Sequence, residues 1–317
     1  MKQILLLTLL ALGYQTASAA SLLETFGSGA NAFTMDFVTI GNPNNAADTT
    51  GNPNPAGSVA YTYNLGMYEV SREQIDKANS AGGLGITMRD MTSFGGNGIN
   101  RPATGISWNE AGMYVNWLNT STGGTAAYKF VGGTFQLWSP TDAGYNANNM
   151  FRNSLAKYVI ASSDEWYKGA YGSPNGTWYD YPTGSDSAPT AVASGTDENT
   201  AVYNHSFFTG PADVTNAGGL SPYGTMAQGG NVFEWMETAF DGINNEAGES
   251  RELRGGSWYN YDSTVSINLE TRYRLSIIHS SESNELIGFR VASVPEPSAL
   301  SLLAIGLGGL ALVRRRK

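Results

Sequence analysis

Oxygen chemistry concentrates in one stretch, Gly229-Gly230-Asn231-Val232-Phe233-Glu234-Trp235, where two glycines, an amide and a carboxylate sit among large apolar side chains. A Gly-Gly turn frees backbone carbonyls, and with the carboxylate two residues beyond Val232 they form hard oxygen ligands suited to calcium. The same residues admit an architectural role, in which Glu234 accepts backbone hydrogen bonds and pins the loop. Softer chemistry has little to work with: the chain has no cysteine, hence no thiolate nucleophile and no thiolate metal site. Its two histidines, His205 and His279, could join a carboxylate such as Asp213 in a facial triad for iron, but their spacing does not favour one, and surface or hydrogen-bonding roles are the simpler reading. No Gly-rich phosphate loop, nucleophile elbow or HExxH helix is present.

The elements that must position these groups are few. Three capping boxes predict helix starts at Ser71-Arg72-Glu73-Gln74, Ser107-Trp108-Asn109-Glu110 and Ser162-Ser163-Asp164-Glu165. After the second, Trp108, Ala111, Val115 and Leu118 fall on one apolar face. Short strands are expected over 61–70, 158–161, 252–256 and 288–292, each bounded by Gly, Asn or Ser. The segment from Gly41 to Gly57 is a loop by composition, and no repeat of fixed period is evident. Trp108, Trp117, Trp166, Trp235 and Trp258 are read as core, and Arg254 in the RELRGGSW segment as the partner of a buried acid.

Composition agrees with a loop-rich surface domain. The 317 residues include 39 glycines, 11% aromatics and only 14% charged side chains. The net charge of −9 argues against a nucleic-acid partner. Residues 1–19 have the three parts of a signal peptide: Met1-Lys2, the apolar run from Ile4 to Leu12, and the small residues Ala17-Ser18-Ala19-Ala20. At the other end Val294-Pro295-Glu296-Pro297-Ser298 precedes an apolar run over 299–313 and the cluster Arg314-Arg315-Arg316-Lys317. That run, about 22 Å as a helix, is a short transmembrane span with a basic cytoplasmic stop.

The last arrangement resembles the PEP-CTERM sorting signal of Gram-negative bacteria that make exopolysaccharide. It implies that residues 294–317 hold the protein in the inner membrane until an exosortase-type enzyme cuts near Pro295, Glu296 and Pro297. The protein would then reach the cell surface or matrix, where exopolysaccharide or a surface protein is a candidate partner. A plain single-span anchor is the alternative.

Along the region between, residues 20–293, come MYEVSREQ, RPATGISWNEAGMYVNWLN, YVIASSDEWYKGAYG, PYGTMAQGGNVFEW, RELRGGSW and IGFRVA in that order. From Met67 to Ala292 this series resembles the formylglycine-generating enzyme (sulfatase-modifying factor) family. The resemblance implies an irregular, loop-rich α+β fold of the C-type-lectin kind. It also implies a calcium ion held by the carbonyls of Gly230 and Val232 and the side chain of Glu234, with one more side-chain ligand just upstream. That ligand aligns with Met226-Ala227-Gln228, where Ala227 cannot coordinate and only the Gln228 amide oxygen can compensate. A second calcium site would fall near Asn199 to Asn204. Aerobic members hold copper(I) with paired cysteines and a related branch holds iron with three histidines; neither set exists here, so neither metal is expected. The expected function is therefore non-catalytic binding of a glycan, peptide or matrix partner, with a divergent metal-dependent enzyme as the alternative. The ligand face is expected on loops from Trp258 to Asn284, where Tyr259, Asn260, Tyr261, Asp262, Arg272 and Tyr273 mix rigid aromatics with adaptable polar groups.

Overall fold

Ser71, Ser107 and Ser162 each stop the chain in an extended conformation and start a helix. They cap α1 (Arg72–Gly82), α2 (Trp108–Ser121) and α3 (Ser163–Tyr171), and both arms of all three capping boxes form. Gly83, left-handed at φ 63°, ends α1. At the end of α3, Gly172 is required by space, because a Cβ there would lie 2.7 Å from the carbonyl oxygen of Lys168. The α2 face predicted from spacing is the buried one, with Trp108, Ala111, Val115 and Leu118 all fully enclosed. The computed structural model describes residues 21–259, 270–271, 273–277, 280–281 and 283–295.

Among those residues strands predominate. They are β1 (Ser21–Phe26), β2 (Phe33–Ile40), β3 (Tyr63–Gly66), β4 (Lys129–Val131), β5 (Thr134–Gln136), β6 (Tyr158–Ile160), β7 (Thr190–Ala191), β8 (Thr200–Ala201), β9 (Phe233–Ala239), β10 (Arg251–Arg254), β11 (Leu275–Ile277), β12 (Ile287–Gly288) and β13 (Val291–Ser293). One antiparallel sheet has the order β1-β2-β3-β13-β6, and a second the order β11-β10-β9-β12, with β12 parallel to β9. The other four strands form two short ribbons, β4-β5 and β7-β8. The chain leaves the second sheet at Gly288 and enters the first at Val291, so Phe289 and Arg290 lie at the crossing between sheets. Both are buried.

The expected strands exist but are shorter. The segment 61–70 gives only β3, and 288–292 divides at Phe289-Arg290 into the end of β12 and most of β13. The three longest strands, β1, β2 and β9, lay outside the expectations. In β2, FTMDFVTI largely alternates between buried and exposed positions, whereas β9 is almost entirely buried and has no alternation to read. The residues of the expected signal peptide and of the helix over 299–313 lie outside the described ones. Among the described residues no helix is long and apolar enough to cross a membrane. Trp108, Trp166, Trp235 and Trp258 are all fully buried, and Trp117 nearly so. Arg254 finds its buried acid in Glu252, 2.6 Å away.

Candidate functional site

The two glycines and the amide of the GGNVFEW stretch form a close crossing of backbones. Gly230, at φ 89°, passes Val202 so tightly that a Cβ would fall 2.3 Å from its carbonyl oxygen. Asn231, also left-handed at φ 58°, then ties four segments together. Its backbone N–H donates to Val202 and its carbonyl accepts from Trp258, both at 2.8 Å. Its side-chain oxygen accepts from Ala212 N–H at 2.8 Å, and its Nδ2 donates to Glu69 at 2.5 Å.

Glu234 sits two residues into β9 territory and is fully buried. Arg290 grips it at both oxygens, Nη2 to Oε1 at 2.6 Å and Nε to Oε2 at 2.7 Å. Trp166 Nε1 donates to Oε2 as well, at 2.7 Å. From the crossing point Arg290 also donates to the carbonyls of Gly66 and Met226, each at 2.8 Å. One carboxylate thus joins β9 to the approach to β13 through a bidentate guanidinium. This arrangement does not fit calcium at Glu234, since a cation on its carboxylate would lie against the Arg290 charge. The Gln228 amide is likewise engaged: its oxygen accepts from Thr225 Oγ1 and its Nε2 donates to Trp166 O at 3.0 Å. Around Asn199 to Asn204, the Asn199 side-chain oxygen accepts from Thr183 at 2.9 Å, and β8 pairs with β7.

Glu69 forms the floor of a cleft of about 530 Å³, walled by Phe33, Asp36, Tyr68, Gln74, Asn100 and Val214. Glu69 is 2% exposed, and its carboxylate accepts from Asn231 and, at 3.2 Å, from Val232 N–H. Burial and the Glu234 charge push the Glu69 carboxyl well above the ordinary carboxylate range, against the pull of Arg290, Asn231 and Val232 N–H.

From the cleft wall at Val214 and Thr215 the chain runs back to an aromatic ledge. Phe94 meets Phe207 edge-on at 4.7 Å and lies parallel to Phe208 at 6.4 Å; Phe207 meets Tyr259 edge-on at 4.7 Å. Phe208 is 70% exposed, the most exposed large apolar side chain among the described residues. Trp258 fixes this ledge from below, with Nε1 donating to Phe207 O at 3.2 Å and its carbonyl accepting from His205 N–H at 2.9 Å. Among the described residues the buried Nε2 of the His205 imidazole has no hydrogen-bond partner.

Of the expected ligand face, Tyr259 belongs to this ledge, whereas Tyr273 packs on Phe233 at 6.3 Å and joins the main core. Asn260, Tyr261, Asp262 and Arg272 lie outside the described residues. So do His279, Glu296 and Pro297, while Pro295 is exposed just beyond β13. Asp213 is exposed, and among the described residues no three His, Cys, Asp or Glu side chains gather as a metal would need. Sequence reasoning missed Glu69 and the ledge. An adjacent Phe207-Phe208 pair in a polar loop between Ser206 and Thr209 was the available signal.

Comparisons with known proteins agree with the fold. Solved structures similar to the chain include Treponema denticola variable protein 1 (19% identity, TM-score 0.57, 86% of this chain and 99% of that one). CarF is similar at 18% identity and a TM-score of 0.58, over 82% of this chain and 98% of its own. PvdO from Pseudomonas aeruginosa is similar at 18% identity and a TM-score of 0.53, over 86% and 98%. At these identities the likeness is one of fold. No match was found among curated proteins. Residues 293–317 match the PEP-CTERM protein-sorting motif, which implies export and processing by an exosortase-type system. Residues 29–294 match the sulfatase-modifying factor enzyme 1-like domain, and the chain belongs to that family.

Proposed function

We propose that this chain is a surface-sorted binding protein, which uses the sulfatase-modifying-factor scaffold to hold an extracellular polysaccharide at the ledge of Phe94, Phe207, Phe208 and Tyr259. The mutually packed rings of that ledge, with Phe208 exposed and Phe94, Phe207 and Tyr259 half-buried, carry the reading. Aromatic side chains give large contact area at little conformational cost, and Trp258 holds them in place before any ligand arrives. Chemistry of the family's oxidase kind finds no support in the chain's composition, since no cysteine is available to hold copper(I). The sorting motif implies export and surface sorting, which supports a partner outside the cell.

The test is retention of the purified chain on immobilised bacterial exopolysaccharide, compared with its Phe208→Ala variant. Phe208 is mostly exposed, so its truncation leaves the fold intact and is expected to weaken binding about tenfold, or about 1.4 kcal/mol. Unchanged retention of the variant, or conversion of a sulfatase-type cysteine peptide to its aldehyde by the wild-type chain, would overturn the reading.

A further inference from the structure

The loop after β2 and the turn after α3 face each other across a second pocket, of about 260 Å³, which shares no residue with the cleft or the ledge. Asn42, Asn44, Lys168, Ser173, Trp178 and Tyr223 line it, and Lys168 is its one charged lining residue. Lys168 projects from α3 and is 1% exposed. Of the three donors on its ammonium, one goes to the Asn42 carbonyl at 2.8 Å. The other lysine ion pairs are made by Lys77, Lys129 and Lys157, and among the described residues no carboxylate lies within salt-bridge distance of Lys168. The ammonium also lies 6.0 Å over the Tyr63 ring; with one hydrogen bond made and no carboxylate partner, a buried ammonium still favours an anion that can meet it. Burial pushes it down to about 8, so it remains mostly charged at neutral pH.

The walls are held in advance. Asn45 pins its loop through Nδ2 to Gly57 O at 2.8 Å and by accepting from Val59 N–H at 3.1 Å. Trp178 Nε1 reaches across to Ala46 O at 3.3 Å, and Ser173 closes its turn by donating to Thr177 O at 2.8 Å. Asn42 and Asn44, both left-handed at φ 54° and 58°, are exposed. Among the described residues neither side-chain amide has a protein partner. Two free amides offer donors and acceptors together, which suits hydroxyl groups, and the half-exposed indole of Trp178 offers a flat apolar wall. The space is below the ~300–1,000 Å³ of pockets for drug-sized ligands, so it admits one ring. With no arginine in the lining, the single ammonium offers one point charge, which balances a singly charged carboxylate.

We propose that this pocket binds a uronic-acid unit of an acidic polysaccharide, with Lys168 meeting the carboxylate, Asn42 and Asn44 the hydroxyls, and Trp178 the ring. This site does not depend on the ledge. The full-length chain in detergent micelles is titrated with D-glucuronic acid, D-glucose and acetate, followed by saturation-transfer NMR. Glucuronic acid is expected to bind at least tenfold more tightly than glucose, which lacks the charge, and than acetate, which lacks the ring. Lys168→Met is expected to cost at least tenfold. Because Lys168 also anchors Asn42, a second variant guards against misfolding: Asn44→Asp sets a carboxylate on the exposed rim and is expected to weaken glucuronic acid by a similar factor. Phe208→Ala should leave glucuronic acid binding unchanged. Equal binding of glucuronic acid and glucose, or of glucuronic acid and acetate, would overturn the proposal. So would indifference to Asn44→Asp, and sensitivity to Phe208→Ala would move the binding to the ledge.

Discussion

Removing the charge of Glu234 would strand Arg290, a buried guanidinium whose carboxylate partner it is. Breaking one side of a buried ion pair costs about 3–5 kcal/mol, and in a domain of this size that lowers the melting midpoint by on the order of 10 °C. Glu234→Gln is expected to show the same fall in millimolar calcium and in chelator, measured by thermal melting. A fall seen only in calcium would make Glu234 a calcium ligand after all. Another buried carboxylate, Glu165, contributes to the acid side of the stability curve. Burial pushes it up, but the charge and hydrogen bonds of Arg152, with Tyr61 and Ser162, overcome this and hold it at about 2. A folded-state value below the unfolded one, about 4.3, means that this stabilisation is complete above pH 4.3 and is lost as pH falls through about 2. Glu165→Gln should therefore lower stability at pH 7 and flatten its decline between about pH 4 and pH 2, read by denaturant titration at each pH.

At the scale of elements, local and distant information separate cleanly. The three helices were legible because a capping box is complete within four residues, and Ser107, Glu110 and the apolar face of α2 need no other part of the chain to be recognised. Ser107→Ala removes a side-chain acceptor for Glu110 N–H and is expected to cost about 1 kcal/mol, a few degrees in a melt. By contrast β9 was hidden, since a strand buried on both faces shows no alternation and its glycine-rich approach resembles a loop. The need of Glu234 for a partner could be read from its apolar surroundings. The identity of that partner could not, because Arg290 lies 56 residues away and meets it only through the crossing between sheets. Glu69 was hidden for the same reason, as its donors come from Asn231 and Val232. The pocket of Lys168 depends on two loops brought together by Trp178.

On the scale of the whole molecule, the sorting segment and the folded domain meet within a few residues. The family domain ends at residue 294 and the sorting motif begins at 293, so the boundary lies at the end of β13. That strand is internal, between β3 and β6, and Arg290 just before it holds Glu234. Val294 N–H makes a last bond to Lys157 O at 2.8 Å, and Pro295 beyond it is exposed. The domain therefore needs the chain as far as Val294 and nothing in the described structure needs it further. A chain ending at Pro295 should melt at the same temperature as the full chain but leave the membrane fraction for the soluble one, because the apolar run and its basic end are gone. A chain ending at Phe289 should fail to fold, losing both an internal strand and the partner of a buried carboxylate. Cell fractionation with thermal melting of the recovered protein distinguishes the two. If the chain ending at Pro295 stays with the membrane, retention resides in the folded domain and not in the sorting segment. If it melts much lower than the full chain, residues beyond Pro295 contribute to the fold.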